Sequence, residues 1–163
     1  MSEGELIHKP LEGVAEYVAA LDEICGLAQQ SLYIFENDFD SLGFDSEFRY
    51  NTLRRFLLTS PFVCLHLLAH DTEPLARFCP RIMMLLRQFS HLMRIYQTPT
   101  NLRHLTAPFA VADSQHLVRR FHFNDTRGIF VQNDPQESSV LKSRFEEIWV
   151  SSHPSVSGTT LGL

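Results

Sequence analysis

Val14, Val18, Leu21, Ile24 and Ala28 recur at the spacing of one helical face, which predicts an amphipathic helix over roughly 11–30. SLYIFE (31–36) follows, β-branched and aromatic, and reads as a strand that the polar run NDFDSLGFDS ends. From Ser46, placed as an N-cap, EFRYNTLRRFLL reads as a second helix with Phe48, Leu53, Phe56 and Leu57 inward. FVCLHLLAH (62–70) is almost continuously apolar, as a strand buried on both faces requires. Asp71 or Thr72 caps the next helix, whose inward positions are Leu75, Phe78, Ile82, Leu85, Leu86 and Phe89. Pro80 inside that pattern predicts a kink or two shorter helices. HLMRIYQT (91–98) is a third strand.

The alternation then stops. APFAVAD (107–113) and QHLVRRFHF (115–123) are separated by almost nothing, which makes them a hairpin, and GIFVQND (128–134) adds another strand. Pro135 opens a last helix with Leu141, Phe145, Ile148 and Trp149 inward. The expected fold is α/β: a mixed sheet whose parallel core (31–36, 62–69, 91–97) is extended by an antiparallel hairpin, with helices on both faces. Residues 1–10 read as a flexible N-terminus, 11–150 as a single domain, and 151–163 as a loose tail with little to bury.

Composition adds limits rather than chemistry. A chain of 163 residues with thirteen phenylalanines can fill one core. Cys25, Cys64 and Cys79 form no CxxC pair, so they read as buried free thiols in a reducing compartment. The polar start MSEGELIHKP is unlike a signal peptide, and no apolar run reaches the ~18 residues of a membrane span; a cytoplasmic location is the expectation. Charge is polarised: residues 1–50 carry −9, 51–131 carry +6 and 132–163 carry −2. Such polarity can mark an anion-binding face, but a net charge of −5 argues against a dominant nucleic-acid role.

The element order, ending in strand–turn–strand and a helix of the form F-x-x-x-W (Phe145, Trp149), resembles one domain of the phospholipase D superfamily. The sharpest local resemblance is TAPFAVADSQHLVRR (106–120). In that superfamily the first of these strands carries His-x-Lys-x-x-x-x-Asp: the histidine attacks phosphorus, the lysine holds the phosphate oxygens and the aspartate supports the site. Anchored on Asp113, the pattern puts Thr106 at the histidine and Pro108 at the lysine. Threonine without an adjacent base is a poor nucleophile, and proline carries no charge. No lysine lies between Lys9 and Lys142, so no shift of alignment restores the motif. The Gly-Ser-x-Asn expected on the next strand is replaced by Arg119-Arg120-Phe121-His122. A bacterial family of similar ending, with a serine-rich segment and a terminal TLGL, includes members that sit beside an acyltransferase-like domain.

Other constellations are weaker. His116 and His122 share a strand face by alternation, and His66 and His70 lie near Asp71, but no HxxxH or tight spacing supports a metal. The acidic loop from Glu36 to Asp40 lacks the glycine and glutamate of an EF-hand, and no GxGxxG, GK[ST] or GxSxG is present. Arg54 and Arg55 read as a solvated helix face. No metal and no cofactor are expected. Of Arg119 and Arg120, alternation sends one to the face of Thr106 and Pro108; with His122 they are the candidate anion-binding residues, the alternative being pairing with an acid such as Asp113 or Glu36.

The resemblance thus implies a noncatalytic phospholipase D-like domain acting as an assembly or anion-binding module, with a small anion or phosphate-containing ligand. One alternative is a phosphodiesterase or nuclease using His104, His116 or His122 in a rearranged site. Another is an accessory domain that regulates an acyltransferase. Single-domain members of the superfamily pair two motifs across a twofold axis, so a homodimer is also implied.

Overall fold

The computed structural model describes residues 4–156. In chain order the elements are β1 (Ile7–Leu11), α1 (Val14–Leu27), β2 (Ser31–Glu36), α2 (Glu47–Leu57), β3 (Cys64–Ala69), α3 (Glu73–Phe78) and α4 (Pro80–Gln88). There follow β4 (Met93–Gln97), β5 (Phe109–Ala112), β6 (His116–Arg120), β7 (Gly128–Gln132), α5 (Pro135–Ser151) and β8 (His153–Val156). The eight strands form one sheet in the order β1-β7-β6-β5-β2-β3-β4-β8. β2, β3 and β4 are parallel, and every other pairing is antiparallel. This is the mixed α/β architecture expected, with helices on both faces.

The sequence accounts for these boundaries locally. Ser46 Oγ accepts the Arg49 N–H at 3.0 Å and starts α2. Pro80 divides its segment into two helices, α3 and α4, because a proline within one helix has no N–H to donate. The β5–β6 hairpin turns through the three residues between the paired Ala112 and His116, with Asp113 (φ 58) and Ser114 (φ 54) in the left-handed region. At Gly128 a Cβ would meet the Arg119 carbonyl oxygen at 2.2 Å, so only glycine lets β7 approach β6 there.

Strand alternation divides the core in two. Leu32, Ile34, Leu67, Ala110 and Val118 face α1 to α4. Phe35, Leu68, Phe109, Val111 and Leu117 face α5, which brings Leu141, Phe145 and Ile148. Among the described residues α5 is the one helix of that second layer.

Five expectations change. Residues 7–10, expected to be flexible, form β1 against β7 together with Leu11, expected to open the first helix, and 153–156, expected to be loose, form β8 against β4. Both are short edge strands held by backbone pairing, and IHKPL and HPSV show no apolar alternation, so hydrophobic pattern does not reveal them. Residues 1–3 and the remainder of the tail, including TLGL, lie outside the described residues. Phe48 and Phe78, expected inward, are 63% and 60% exposed. Phe48 projects away from the inward face of Arg49, Leu53 and Phe56, and Phe78 ends α3 where the chain breaks before Pro80.

Candidate functional site

Ligands of open α/β sheets favour the carboxyl ends of the parallel strands. Here that edge holds Glu36 at the end of β2 and His70 just beyond β3. Phe109 pairs with both Phe35 and Arg119, so one residue earlier Pro108 lies in a row between Glu36 and Arg120. The Arg120 N–H donates to the Pro108 carbonyl at 3.1 Å and fixes that register. Arg120 therefore shares the face of Pro108 and of α1, while Arg119 turns to the α5 side.

Arg120 reaches over Pro108 to Glu36, its Nη2 standing 3.0 Å from Oε1. Both residues are buried, and the guanidinium lies 5.0 Å from the Tyr17 ring centre. A second donor of Arg120, Nη1, gives a 2.9 Å bond to the Phe123 carbonyl. Glu36 Oε2 and Arg120 Nε have no partner among the described residues. Burial pushes the Glu36 carboxyl up to about 7, opposed by Arg120. Burial and then the nearby Glu36 charge raise the Tyr17 hydroxyl, against the pull of Arg120.

His70 fixes the loop that leads into β5. Its Nδ1 is 2.6 Å from Thr98 Oγ1 and its Nε2 is 2.7 Å from the Leu105 carbonyl, to which it donates. Burial lowers its pKa, so the ring is neutral with Nδ1 accepting from Thr98. Arg103 Nη2 donates to the His70 carbonyl at 3.1 Å, and the Thr106 carbonyl accepts from Phe123 N–H at 2.8 Å. The carbonyls of Thr106 and Pro108 are thus both held by backbone bonds from the β6 side.

The other candidates are distributed elsewhere. Asp113 sits at the opposite end of β5, where its carboxylate accepts the backbone N–H of Gln29, Gln30 and Ser31 at 2.9, 2.7 and 3.0 Å. It joins the α1–β2 connection to the hairpin turn and does not approach Thr106. A cavity of about 680 Å³ beside it is lined by Gln29, Gln30, Gln115, His116 and Gln132 and includes no basic side chain other than that histidine. Arg119 lies 3.7 Å from Glu137, the acid in the first turn of α5. His122 is exposed, lies past the end of β6, and accepts the Asn124 N–H at 3.0 Å. His116, at the other end of β6, accepts the Asn133 N–H at 3.1 Å. His104 is exposed at the Thr106 end, 3.1 Å from the Asn101 carbonyl. The three histidines of the rearranged-site alternative therefore do not converge.

His8, Asp134 and Glu137 place ligand atoms within 4.8 Å of one another. Asp134 already accepts the Glu137 N–H as the cap of α5, and Arg119 supplies positive charge to Glu137, so this group needs no ion. Sequence reasoning missed His70 as the anchor of the loop before β5. Its signal was its position, immediately after a buried parallel strand.

A family model described as "Domain of unknown function (DUF7931)" matches residues 14–158. No curated protein matches the chain. Among solved structures, the fold is similar to Nuc of Salmonella typhimurium, a phospholipase D family member (TM-score 0.67, 10% identity, 94% of this chain and 99% of that one). It is similar to NucT of Helicobacter pylori (TM-score 0.62, 10% identity, 93% and 100%). It is also similar to TrmBL2, an archaeal chromatin protein whose structure shows a novel mode of DNA binding (TM-score 0.68, 11% identity, 91% of this chain). The chain spans about half of TrmBL2, 54% of its length. At these identities the likeness concerns the fold, which is phospholipase D-like.

Proposed function

The chain belongs to the family described as Domain of unknown function (DUF7931), and on that footing we propose a phospholipase D-like domain that performs no phosphodiester chemistry and acts as an assembly module. The supporting observation is the row Glu36–Pro108–Arg120. Where the superfamily keeps a lysine free to hold phosphate, this chain has a proline, and the arginine beside it is buried against an acid. Thr106 offers no imidazole as nucleophile, and His70 is committed through both ring nitrogens. An anion would have to displace Glu36 from Arg120 or Glu137 from Arg119, which favours assembly over anion capture.

Two measurements test this. Light scattering across 10–300 µM protein should show self-association; a single species at the chain mass throughout would overturn the assembly role. Calorimetric titration with sulfate should give no heat of binding at millimolar ligand. Stoichiometric sulfate binding that disappears in Arg120→Leu would replace assembly with an anion-binding role.

A further inference from the structure

The amino end of the parallel strands, opposite the row Glu36–Pro108–Arg120, holds a second polar cluster. Leu117 pairs with Val131, so the next row sets His116 beside Gln132. Both lie on the face of Val118 and Phe130, the side that α1 covers. The last turn of α1 and the connection Gln29–Gln30 wall this row, and Gln115 and Asn133 stand at the strand ends. Together they enclose the cavity of about 680 Å³ beside Asp113, within the roughly 300–1,000 Å³ of small-molecule sites. Its backbone frame is fixed. The Gln115 carbonyl accepts the Asp134 N–H at 2.9 Å, and Asn133 Nδ2 donates to the Glu5 carbonyl at 2.8 Å. His116 is only 8% exposed, yet one ring nitrogen remains open. Nδ1 accepts the Asn133 N–H, and burial lowers the pKa, so the neutral ring carries its proton on Nε2. That N–H has no partner among the described residues and is not sealed from solvent; it opens to the cavity. The carboxamides of Gln29, Gln30, Gln115 and Gln132 likewise make no hydrogen bond among the described residues. Each offers one acceptor oxygen and two N–H donors.

We propose that this cavity binds a neutral polyhydroxylated ligand of the saccharide class, through the Nε2–H of His116 and the carboxamides of Gln29, Gln30, Gln115 and Gln132. A hydroxyl group both donates and accepts, and a carboxamide answers both functions. Other ligand classes match the lining poorly. A phosphate or carboxylate would find no arginine or lysine, with the Asp113 carboxylate alongside. A cation would find that carboxylate already accepting three backbone N–H groups. A nucleobase would have no aromatic ring to stack on. An apolar ligand would meet Leu27 as the one large apolar side chain of the lining and would leave the polar groups unpaired. Each ligand hydroxyl exchanges a bond to water for one to the protein, so a single sugar ring is held weakly, in the millimolar range. The site lies at the opposite end of the strands from Arg120, and its occupancy does not depend on self-association.

The experiment is titration of the nitrogen-15-labelled whole chain with glucose, galactose, mannose and N-acetylglucosamine at millimolar concentrations, with adenine and sulfate as competing classes. The side-chain amide and imidazole nitrogen resonances are followed. At least one sugar should shift the Gln115 and Gln132 carboxamides and His116 Nε2 saturably, while the Arg120 guanidinium stays unmoved. Gln115→Leu with Gln132→Leu should weaken that binding at least fivefold at an unchanged urea midpoint. His116→Asn should weaken it as much, because asparagine keeps an acceptor near Nδ1 for the Asn133 N–H and removes the Nε2 donor. Saturable shifts with adenine or sulfate and with no sugar would overturn the saccharide assignment. No shift with any of the six, or native affinity in both variants, would overturn the site itself.

Discussion

Arg120 and Glu36 meet at 3.0 Å across an intervening strand, and the residue between them is Pro108. The pair is buried, so each charge depends on the other for compensation. The arginine on the strand next to the motif-bearing one is thereby engaged within the fold.

Removing one partner strands the other. Glu36→Leu should destabilise the chain by about 3–5 kcal/mol, the usual cost of an uncompensated buried charge, because the Arg120 guanidinium cannot shed its proton. Glu36→Leu combined with Arg120→Leu should cost far less than the sum of the single changes, because neither charge remains. Urea denaturation of the four proteins checks this; additive losses would mean that the two side chains do not act as a pair.

Glu36 and His66 give opposite pH dependences. Glu36 is raised from 4.5 to about 7, chiefly by burial, so the folded chain holds a proton that the unfolded chain releases. Its contribution to stability is complete below pH 4.5 and is lost as pH rises through 7. His66 is lowered from 6.5 to about 4 by burial and then by the Arg94 charge. Its contribution is complete above pH 6.5 and is lost as pH falls through 4. Urea midpoints from pH 4 to 8 should show Glu36→Gln losing the decline toward neutrality and His66→Phe losing the decline toward acid. Curves parallel to the native one would refute both assignments.

Asp113 has a structural task that its alignment with a catalytic motif conceals. Asp113→Ala removes the acceptor of three backbone N–H groups and places alanine at φ 58. The expected loss is about 2–4 kcal/mol, read as a lowered denaturation midpoint. Asp113→Asn keeps an acceptor and a residue that tolerates the turn, and should lose less. Equal losses would show that the hydrogen bonds contribute little.

The parallel core was legible because SLYIFE and FVCLHLLAH are runs that only a sheet buried on both faces accommodates. Pro80 announced the division into α3 and α4 through its missing donor. β1 and β8 were not legible, since IHKPL and HPSV carry prolines and polar residues on sheet edges. For the site, alternation established that Arg119 and Arg120 oppose one another. Which of them faces Pro108 required the three-residue connection Asp113, Ser114 and Gln115 between the paired Ala112 and His116, because one residue fewer would exchange the two. Pairing of Arg120 with Glu36 rather than Asp113 depends on the same register, which composition and spacing do not contain.

Hydrolysis of bis(4-nitrophenyl) phosphate by the purified chain, from pH 5 to 9, tests the absence of phosphodiester chemistry most directly. Release of nitrophenol at the buffer rate across that range is expected, since Thr106 supplies no nucleophile and Arg120 is held by Glu36. Protein-dependent turnover that falls when His104, His116 or His122 is changed to alanine would contradict it.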